Sequence, residues 1–454
     1  MPQETAYQPY QPGIKLEGVV YPDAARLRRY IDDGILTRET LSGAFAESFR
    51  KNSGRLALAG PEGRFTYREL DEITDRLAAA LLELGLNPLD RAFIQCGNSN
   101  ELIFFFLACL KATLIPICAL QAFRKLEVGY LGNLSEARVH LVQGDDPKFD
   151  DVAFAEEMQH EVPSLRHIVQ ARGTRRGKAN LLKDLIDAMP LERARDKLAS
   201  IPPDPFQVAV FQLSGGTTGV PKIIPRFSND YLYNMRSVAA WNRYTEEDVL
   251  FMPTPFMHNM NMVCFFGPIL LQGGLVTVCP DIREETLQGV IRDYHPTWCG
   301  LAGPIYARAL PALQESGAAV QARRTCIAPK NAPRIRDAVK SFTAHIFGMT
   351  EGVIMLTQRD DPQEALDLSV GRPVSACDEV RIVDPRSRMA GPGGEGGRVV
   401  GNWSPTPPPA YVGSRTAKRE RRCFAGLIRS PAITSPRKTI PQSLPRTAFI
   451  APAT

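Results

Sequence analysis

The stretch Leu213 to Ile224, LSGGTTGVPKII, follows an apolar run, QVAVFQL, that reads as a buried strand. Strand and loop together decide how the rest is read. Glycine lets backbone N–H groups turn inward towards an anion, the hydroxyls of Ser214, Thr217 and Thr218 add donors, and Lys222 supplies a mobile positive charge. Ser214, Gly215, Gly216, Thr217, Thr218, Gly219 and Lys222 therefore form a candidate phosphate-holding loop. Composition alone favours an ordinary solvated loop, so order and context must carry the reading. The common P-loop is excluded, because it needs Gly-Lys-Ser/Thr in succession and here Val220 and Pro221 separate Gly219 from Lys222.

Working outward, the 454 residues exceed one ordinary domain, and 44% hydrophobic content supports a sizeable core. A soluble globular protein is expected. Nine cysteines, an odd number with no CxxC pair and no zinc spacing, fit reduced thiols in a cytoplasmic protein. The N-terminus lacks the apolar core of a signal peptide. The most hydrophobic stretch, Leu102 to Leu120, is interrupted by Lys111 and Pro116, so it reads as a buried helix running into a strand, and no membrane insertion is expected. Of the 54 basic and 49 acidic side chains, 10 and 1 fall in residues 398–454, which leaves 44 and 48 for residues 1–397. The body is mildly acidic and only the tail is basic.

The body alternates helical and strand signals. Thr66-x-x-Glu69 is a capping box before a helix whose apolar residues Leu70, Ile73, Leu77, Leu81 and Leu84 recur at three- and four-residue steps, with Gly85 closing it. Arg91 to Cys96 reads as a strand, Asn100 to Thr113 as a helix and Leu114 to Ala119 as a strand. The rhythm recurs around Leu126–Leu134, Val139–Val142, Leu275–Cys279, Glu284–Tyr294, Trp298–Ala302 and Ile305–Leu313. Such alternation predicts an α/β fold with mostly parallel sheets.

Two further stretches carry chemistry. Phe256 to Gly267, FMHNMNMVCFFG, holds one histidine among apolar residues, a pattern that by itself fits a satisfied core histidine. Five positions beyond Asn259 lies Cys264, a packing cysteine or an apolar wall with a weak donor. Ile346 to Gly352, IFGMTEG, reads as a strand ending in a turn that carries Thr350 and Glu351. A GxGxxG at Gly391, Gly393 and Gly396 follows no clear strand and opens no helix, so it is read as a turn and a dinucleotide site is discarded.

In this order, LSGGTTGVPK and FGMTEG resemble two nucleotide motifs of the acyl-adenylate-forming superfamily, which includes acyl-CoA synthetases, luciferases, peptide-synthetase adenylation domains and aryl-acid ligases. Within it, LSGGTTG, the following IIPR and His258-Asn259 are similar to the salicylate and 2,3-dihydroxybenzoate adenylating enzymes of siderophore synthesis. The resemblance implies the large N-terminal domain of that fold, with mostly parallel sheets flanked by helices and a small β-barrel-like part. It implies ATP and Mg²⁺ as cofactors, with Lys222, Thr350 and Glu351 catalytic, Thr350 on the α-phosphate and Glu351 holding the metal. It further implies an acid pocket built from His258, Asn259, Cys264, Ala328, Gly348 and Val353. Amino-acid-activating relatives carry an aspartate where Asn259 stands; a neutral side chain suits a phenol or ring nitrogen and would leave a buried ammonium poorly compensated. Cys264 in place of the serine usual in dihydroxybenzoate-type relatives favours salicylate or another ring without the second hydroxyl. Met260, Asn261 and Met262 also differ from the family run, which leaves a pyridine carboxylate open. Ala328-Pro329-Lys330 stands where relatives have Gly-Gly-Ala-Lys/Arg, and Pro329 removes a donor there. The implied partners are an aryl acid, ATP and a carrier protein with a phosphopantetheine thiol, or CoA. A membrane and nucleic acid are not expected partners.

The resemblance covers residues 16–397. Beyond them the tail holds nine prolines, no aspartate and no recognisable match for the family's ribose-binding Gly-Asp, hinge or C-terminal catalytic lysine. The expected organisation is an AMP- and aryl-acid-binding core, 1–397, followed by a basic, disordered segment, 398–454, of the kind out-of-frame translation produces. Two alternatives to an aryl-acid ligase stand beside it: a non-catalytic remnant that binds only ATP or acid, and an acyl-CoA synthetase for another acid. Translating the gene in its other frames should reveal the Gly-Asp motif, hinge and lysine domain downstream of codon 398; finding none would remove the frameshift reading.

Overall fold

The structure is a computed structural model that describes residues 10–214, 221–328, 331–383 and 398–402. After two helices, Ala24–Asp32 and Leu41–Lys51, the chain makes a hairpin, β1 (Leu56–Gly60) and β2 (Gly63–Thr66). The next strands are β3 (Arg91–Gln95), β4 (Ile115–Cys118), β5 (Ala137–Val142), β6 (His167–Gln170), β7 (Asn180–Leu181), β8 (Val208–Ser214) and β9 (Lys222–Phe227). They form one sheet in the order β7-β6-β5-β3-β4-β8-β9, parallel except for the antiparallel pair β8–β9. Then come β10 (Val249–Phe251), β11 (Leu275–Thr277), β12 (Trp298–Gly300), β13 (Thr325–Ala328), β14 (Phe342–Gly348), β15 (Ile354–Leu356) and β16 (Arg372–Pro373). With the first hairpin they build a second sheet, β16-β15-β14-β13-β12-β10-β11-β1-β2, parallel at its centre and antiparallel at both ends.

The expected α/β alternation is present. The helix Tyr67–Glu83 opens on the capping box at Thr66 and Glu69, in which Thr66 N donates to the Glu69 carboxylate at 2.7 Å. The helix Asn100–Lys111 follows, capped by Ser99, and every residue from Leu102 to Leu110 is buried. A helix apolar all round must be enclosed on all sides. One hydrophobic cluster joins Phe104, Phe105 and Phe106 to Phe256, Phe265 and Phe266 of the histidine-bearing stretch. Lys111 ends this helix facing Asp71 and Asp75, both at 2.6 Å, so the charge that interrupts the apolar run is paired. Among the described residues no helix is long and apolar enough to cross a membrane, and eight cysteines are free thiols, all buried but Cys377.

Gly371, in the Gly-Arg-Pro run, has φ +83°, and a Cβ there would lie 2.1 Å from the backbone of Leu356. Only glycine lets β16 approach β15 in this way. Near the C-terminal end β17 (Glu379–Val383) pairs antiparallel with β18 (Arg398–Asn402). That two-stranded sheet is what the described residues contain where a barrel-like part was expected, and it carries the ordered pairing five residues past the boundary at 397. The GxGxxG glycines lie outside the described residues.

His140, wholly buried on β5, donates from Nε2 to Gln95 Oε1 at 3.1 Å, while among the described residues Nδ1 has no partner. Burial lowers its pKa to about 3. Since the folded value lies below the ordinary 6.5, the neutral ring's contribution to stability is complete above that pH and is lost as pH falls through it towards 3. The stability gap between the wild type and His140→Gln, which keeps a donor to Gln95, should close by about 2 kcal/mol between pH 7.5 and pH 5 in urea denaturation.

Candidate active site

β8 and β9 are paired with Ser214 opposite Lys222, so the two ends of the phosphate-type loop are held side by side at a sheet margin. Both side chains are partly buried. Gly215, Gly216, Thr217, Thr218 and Gly219 lie outside the described residues. Across the molecule, β14 ends at Gly348 and the turn to β15 carries Thr350 and Glu351, closed by Met349 N donating to Val353 O at 2.9 Å and Gly352 N to Met349 O at 3.0 Å. Thr350 and Glu351 are partly exposed, Gly348 is exposed and Val353 is buried. Ala328 ends β13 fully buried.

What joins the two strand ends is Arg226, the arginine of IIPR on β9. Its guanidinium has no exposed surface, and its donors go to Asp230 Oδ2 at 2.8 and 3.1 Å, Asn234 Oδ1 at 2.6 Å and the Thr350 carbonyl at 2.9 Å. One fork therefore ties the loop-bearing sheet, the helix Ser228–Asn242 and the Thr350–Glu351 turn together. Arg226 also lies 4.6 Å from the centroid of the Tyr231 ring, on the same helix.

Tyr231 leads to the second motif. Its hydroxyl donates to Asn259 Oδ1 at 2.9 Å and accepts from Gln212 Nε2 at 3.2 Å. Asn259 is buried, whereas His258 just before it is exposed, its Nδ1 accepting from Met260 N at 3.3 Å. Partial desolvation lowers the His258 pKa from its ordinary value. The segment ahead of the pair is clamped from two sides. Asn98, after β3, donates to Thr254 O at 2.9 Å and accepts from Phe256 N at 2.8 Å; Asn261 donates to Thr254 Oγ1 at 2.7 Å and Pro255 O at 2.6 Å.

Behind the pair, Met262–Phe266 forms a π-helical turn before the helix Gly267–Gln272. Its cause is legible in Pro268, which has no N–H for the Cys264 carbonyl four residues earlier and whose ring would crowd it. The Tyr244 hydroxyl donates to that carbonyl instead, at 3.0 Å. Cys264 is 2% exposed, and burial pushes its thiol pKa up, so the sulfur is uncharged.

The structure thus brings Asn259, the Cys264 segment and the Thr350–Glu351 turn to the helix Ser228–Asn242 and the buried arginine of β9 that precedes it. A cavity of about 390 Å³ lies apart from them, bordered by Thr40, Ser42, Lys111, Asp204 and Ser228. Sequence reading quoted Arg226 without giving it a role and passed over Gln212, Tyr231, Tyr244 and His345. The last accepts from Ala332 N through Nε2 at 3.2 Å and donates from Nδ1 to Ser369 O at 2.8 Å, securing the helix that follows Pro329 and Lys330.

Comparison with known proteins places this arrangement in a family. The family model described as AMP-binding enzyme matches residues 45–402, and the chain belongs to that family, whose members use ATP. Among individual relatives, it is 32% identical over 372 residues to Triostin synthetase I of Streptomyces triostinicus, covering 81% of this chain and 68% of that one. It is 30% identical over 432 residues to the salicyl-AMP ligase / salicyl-S-ArCP synthetase of Mycobacterium tuberculosis, covering 90% and 73%. The fold matches the apo structure of MbtA from Mycobacterium smegmatis with a TM-score of 0.76 at 27% identity, over 86% of this chain and 71% of that one.

Removing Arg226 takes two donors from the buried Asp230 carboxylate and one from the Thr350 carbonyl. Arg226→Met should lower stability by about 3–5 kcal/mol in chemical denaturation; a loss under about 1 kcal/mol would show that the guanidinium does not hold the two sheets together.

Proposed function

We propose that the chain activates an aryl carboxylic acid of the salicylate or 2,3-dihydroxybenzoate type. The acid's carboxylate attacks the α-phosphate of ATP, pyrophosphate leaves, and an aryl-AMP mixed anhydride remains for transfer to the thiol of a carrier-protein phosphopantetheine or CoA. The observation that carries this reading is Asn259, a buried neutral side chain hydrogen-bonded to Tyr231 at the position where a substrate ammonium would need a carboxylate. Two features support it: the similarity to a salicyl-AMP ligase and the link of Asn259 through Tyr231 and Arg226 to the Thr350 turn. The buried Cys264, whose thiol is a weaker donor and a more apolar wall than a serine hydroxyl, is the reason for preferring a ring without a second hydroxyl.

The residues' tasks follow from the charges involved. Little covalent work falls to the protein; it must bring two anions together and offset charge that builds on phosphate oxygens. Lys222 and the donors from Ser214 to Gly219 are assigned to the ATP phosphates, and Thr350 to the α-phosphate. His258, Ala328, Gly348 and Val353 are assigned to the walls around the ring. Glu351, a partly exposed carboxylate on a turn, fits Mg²⁺, which takes one or two carboxylates and completes its shell with phosphates and water. Among the described residues there is no cluster of three or more acidic, histidine or cysteine side chains able to hold a metal alone, so nucleotide oxygens would have to supply the remaining ligands. Bound there, the ion would neutralise triphosphate charge.

ATP–pyrophosphate exchange by the full chain tests this reading without needing an acceptor. Exchange should depend on salicylate or a close analogue and not on an amino acid, and Lys222→Ala should reduce it by at least a hundredfold, about 3 kcal/mol. No exchange with any aryl acid, from protein shown to be folded, would favour the non-catalytic remnant.

A further inference from the structure

Asparagine offers a ligand either a donor or an acceptor, and nothing in its sequence position says which. The surrounding hydrogen bonds do. We propose that Met262, Gln212 and Tyr231 form a one-way relay that turns the NH₂ of Asn259 towards the ligand, so that the pocket selects acids bearing a hydrogen-bond acceptor beside the carboxylate. The proposal deepens the aryl-acid reading and rests on it.

The direction is set at the far end. Gln212 Nε2 lies 3.4 Å from Met262 Sδ and 3.2 Å from the Tyr231 hydroxyl oxygen. A thioether sulfur has lone pairs and no proton. With the Gln212 amide reversed, its oxygen would face that sulfur, two acceptors with no hydrogen between them; with Nε2 there, the amide donates to both sulfur and tyrosine. The Tyr231 oxygen is then a recipient, and its single proton must go elsewhere. The partner in reach is Asn259 Oδ1 at 2.9 Å. If the Asn259 amide were reversed instead, three hydrogens would converge on one buried oxygen region and the tyrosine proton would lack an acceptor, at about 1–3 kcal/mol. All four residues of the relay are enclosed: Met262 and Tyr231 are 0% exposed, Gln212 1% and Asn259 7%. Water therefore has little access to relax the chain. Among the described residues no hydrogen-bond partner of Asn259 Nδ2 is found, and the proposal assigns that donor to the ligand.

The chemical consequence is a sorting rule. Salicylate turns its phenolic proton inward to its own carboxylate and presents the oxygen lone pair outward, a match for an N–H donor. A pyridine-2-carboxylate presents a bare ring nitrogen and matches as well. Benzoate presents nothing at that position. Anthranilate presents N–H groups and a lone pair withdrawn into the ring, so donor meets donor. The relay begins at Met262.

Tyr231 and Met262 act as positioning residues, and the readout is a ratio of affinities, which a general packing defect would leave alone. Calorimetric Kd values for salicylate, benzoate and anthranilate would be measured on the full-length wild type, Tyr231→Phe and Met262→Leu. The wild type should favour salicylate over anthranilate by at least about tenfold, the worth of one hydrogen bond made against one refused. Tyr231→Phe keeps the ring beside Arg226 but removes the proton that pins Asn259, and should bring the ratio near one while benzoate stays within about twofold. Met262→Leu, which frees Gln212 to turn, should move the ratio the same way, and it carries the test if the tyrosine variant does not fold. An unchanged ratio in the variants, or all three acids weakening together, overturns the relay and leaves the aryl-acid reading standing; a wild type that binds none of the acids overturns both.

Discussion

A guanidinium with no access to water ties together the elements that carry the candidate site. Burying Arg226 is tolerable only because every edge of the fork is met: a carboxylate at Asp230, an amide oxygen at Asn234 and the main-chain oxygen of Thr350. Breaking such an ion by removing one partner costs several times a surface pair's worth, since the charge cannot be rehydrated where it is. These partners come from the helix after β9 and from the turn after β14, two elements on different sheets. The contact therefore fixes the distance between the lysine-bearing strand and the Thr350–Glu351 turn.

The histidine-asparagine segment depends on that anchor and adds constraints of its own. Arg226 lies over the face of the Tyr231 ring, and Tyr231 holds Asn259 by a hydroxyl. Upstream, Asn98 and Asn261 hold the backbone of residues 253–256; downstream, Pro268 forces the chain into a wider turn whose stranded carbonyl is taken by Tyr244. Each bond satisfies a polar group that burial would otherwise penalise, so the apolar core around Phe104, Phe105 and Phe266 and the polar pocket are stable together. The polarity around Asn259 is a property of this network more than of Asn259 alone.

Local features were the legible ones. The Thr66–Glu69 capping box, the three- and four-residue apolar steps of its helix, the buried LIFFFLACL helix and the strand that ends at Ser214 are short-range patterns whose physics is complete within a few turns, whereas the strand that begins at Lys222 was read as loop. The motifs, in their order, were enough to place the chain among the AMP-binding enzymes. Arg226, Tyr231 and Gln212 escaped notice as functional residues because nothing local marks them. An arginine after a proline and a tyrosine in a helix are ordinary until their partners are known, and those partners lie 124 residues away at Thr350, 28 at Asn259 and 50 at Met262.

The sequence by itself determined the alternation of helices and strands, the apolar core and the identity of the groups able to meet phosphate or an aryl ring, because hydrophobic period, caps and side-chain chemistry are intrinsic to short stretches of chain. Tertiary structure alone decided which of those groups face one another, and in which hydrogen-bonding sense. A carboxamide is symmetric in its chemistry until neighbours break the symmetry, and here the neighbours, a thioether, a second amide and a phenol, are brought together only by the packing of the helix Ser228–Asn242 against the π-helical turn.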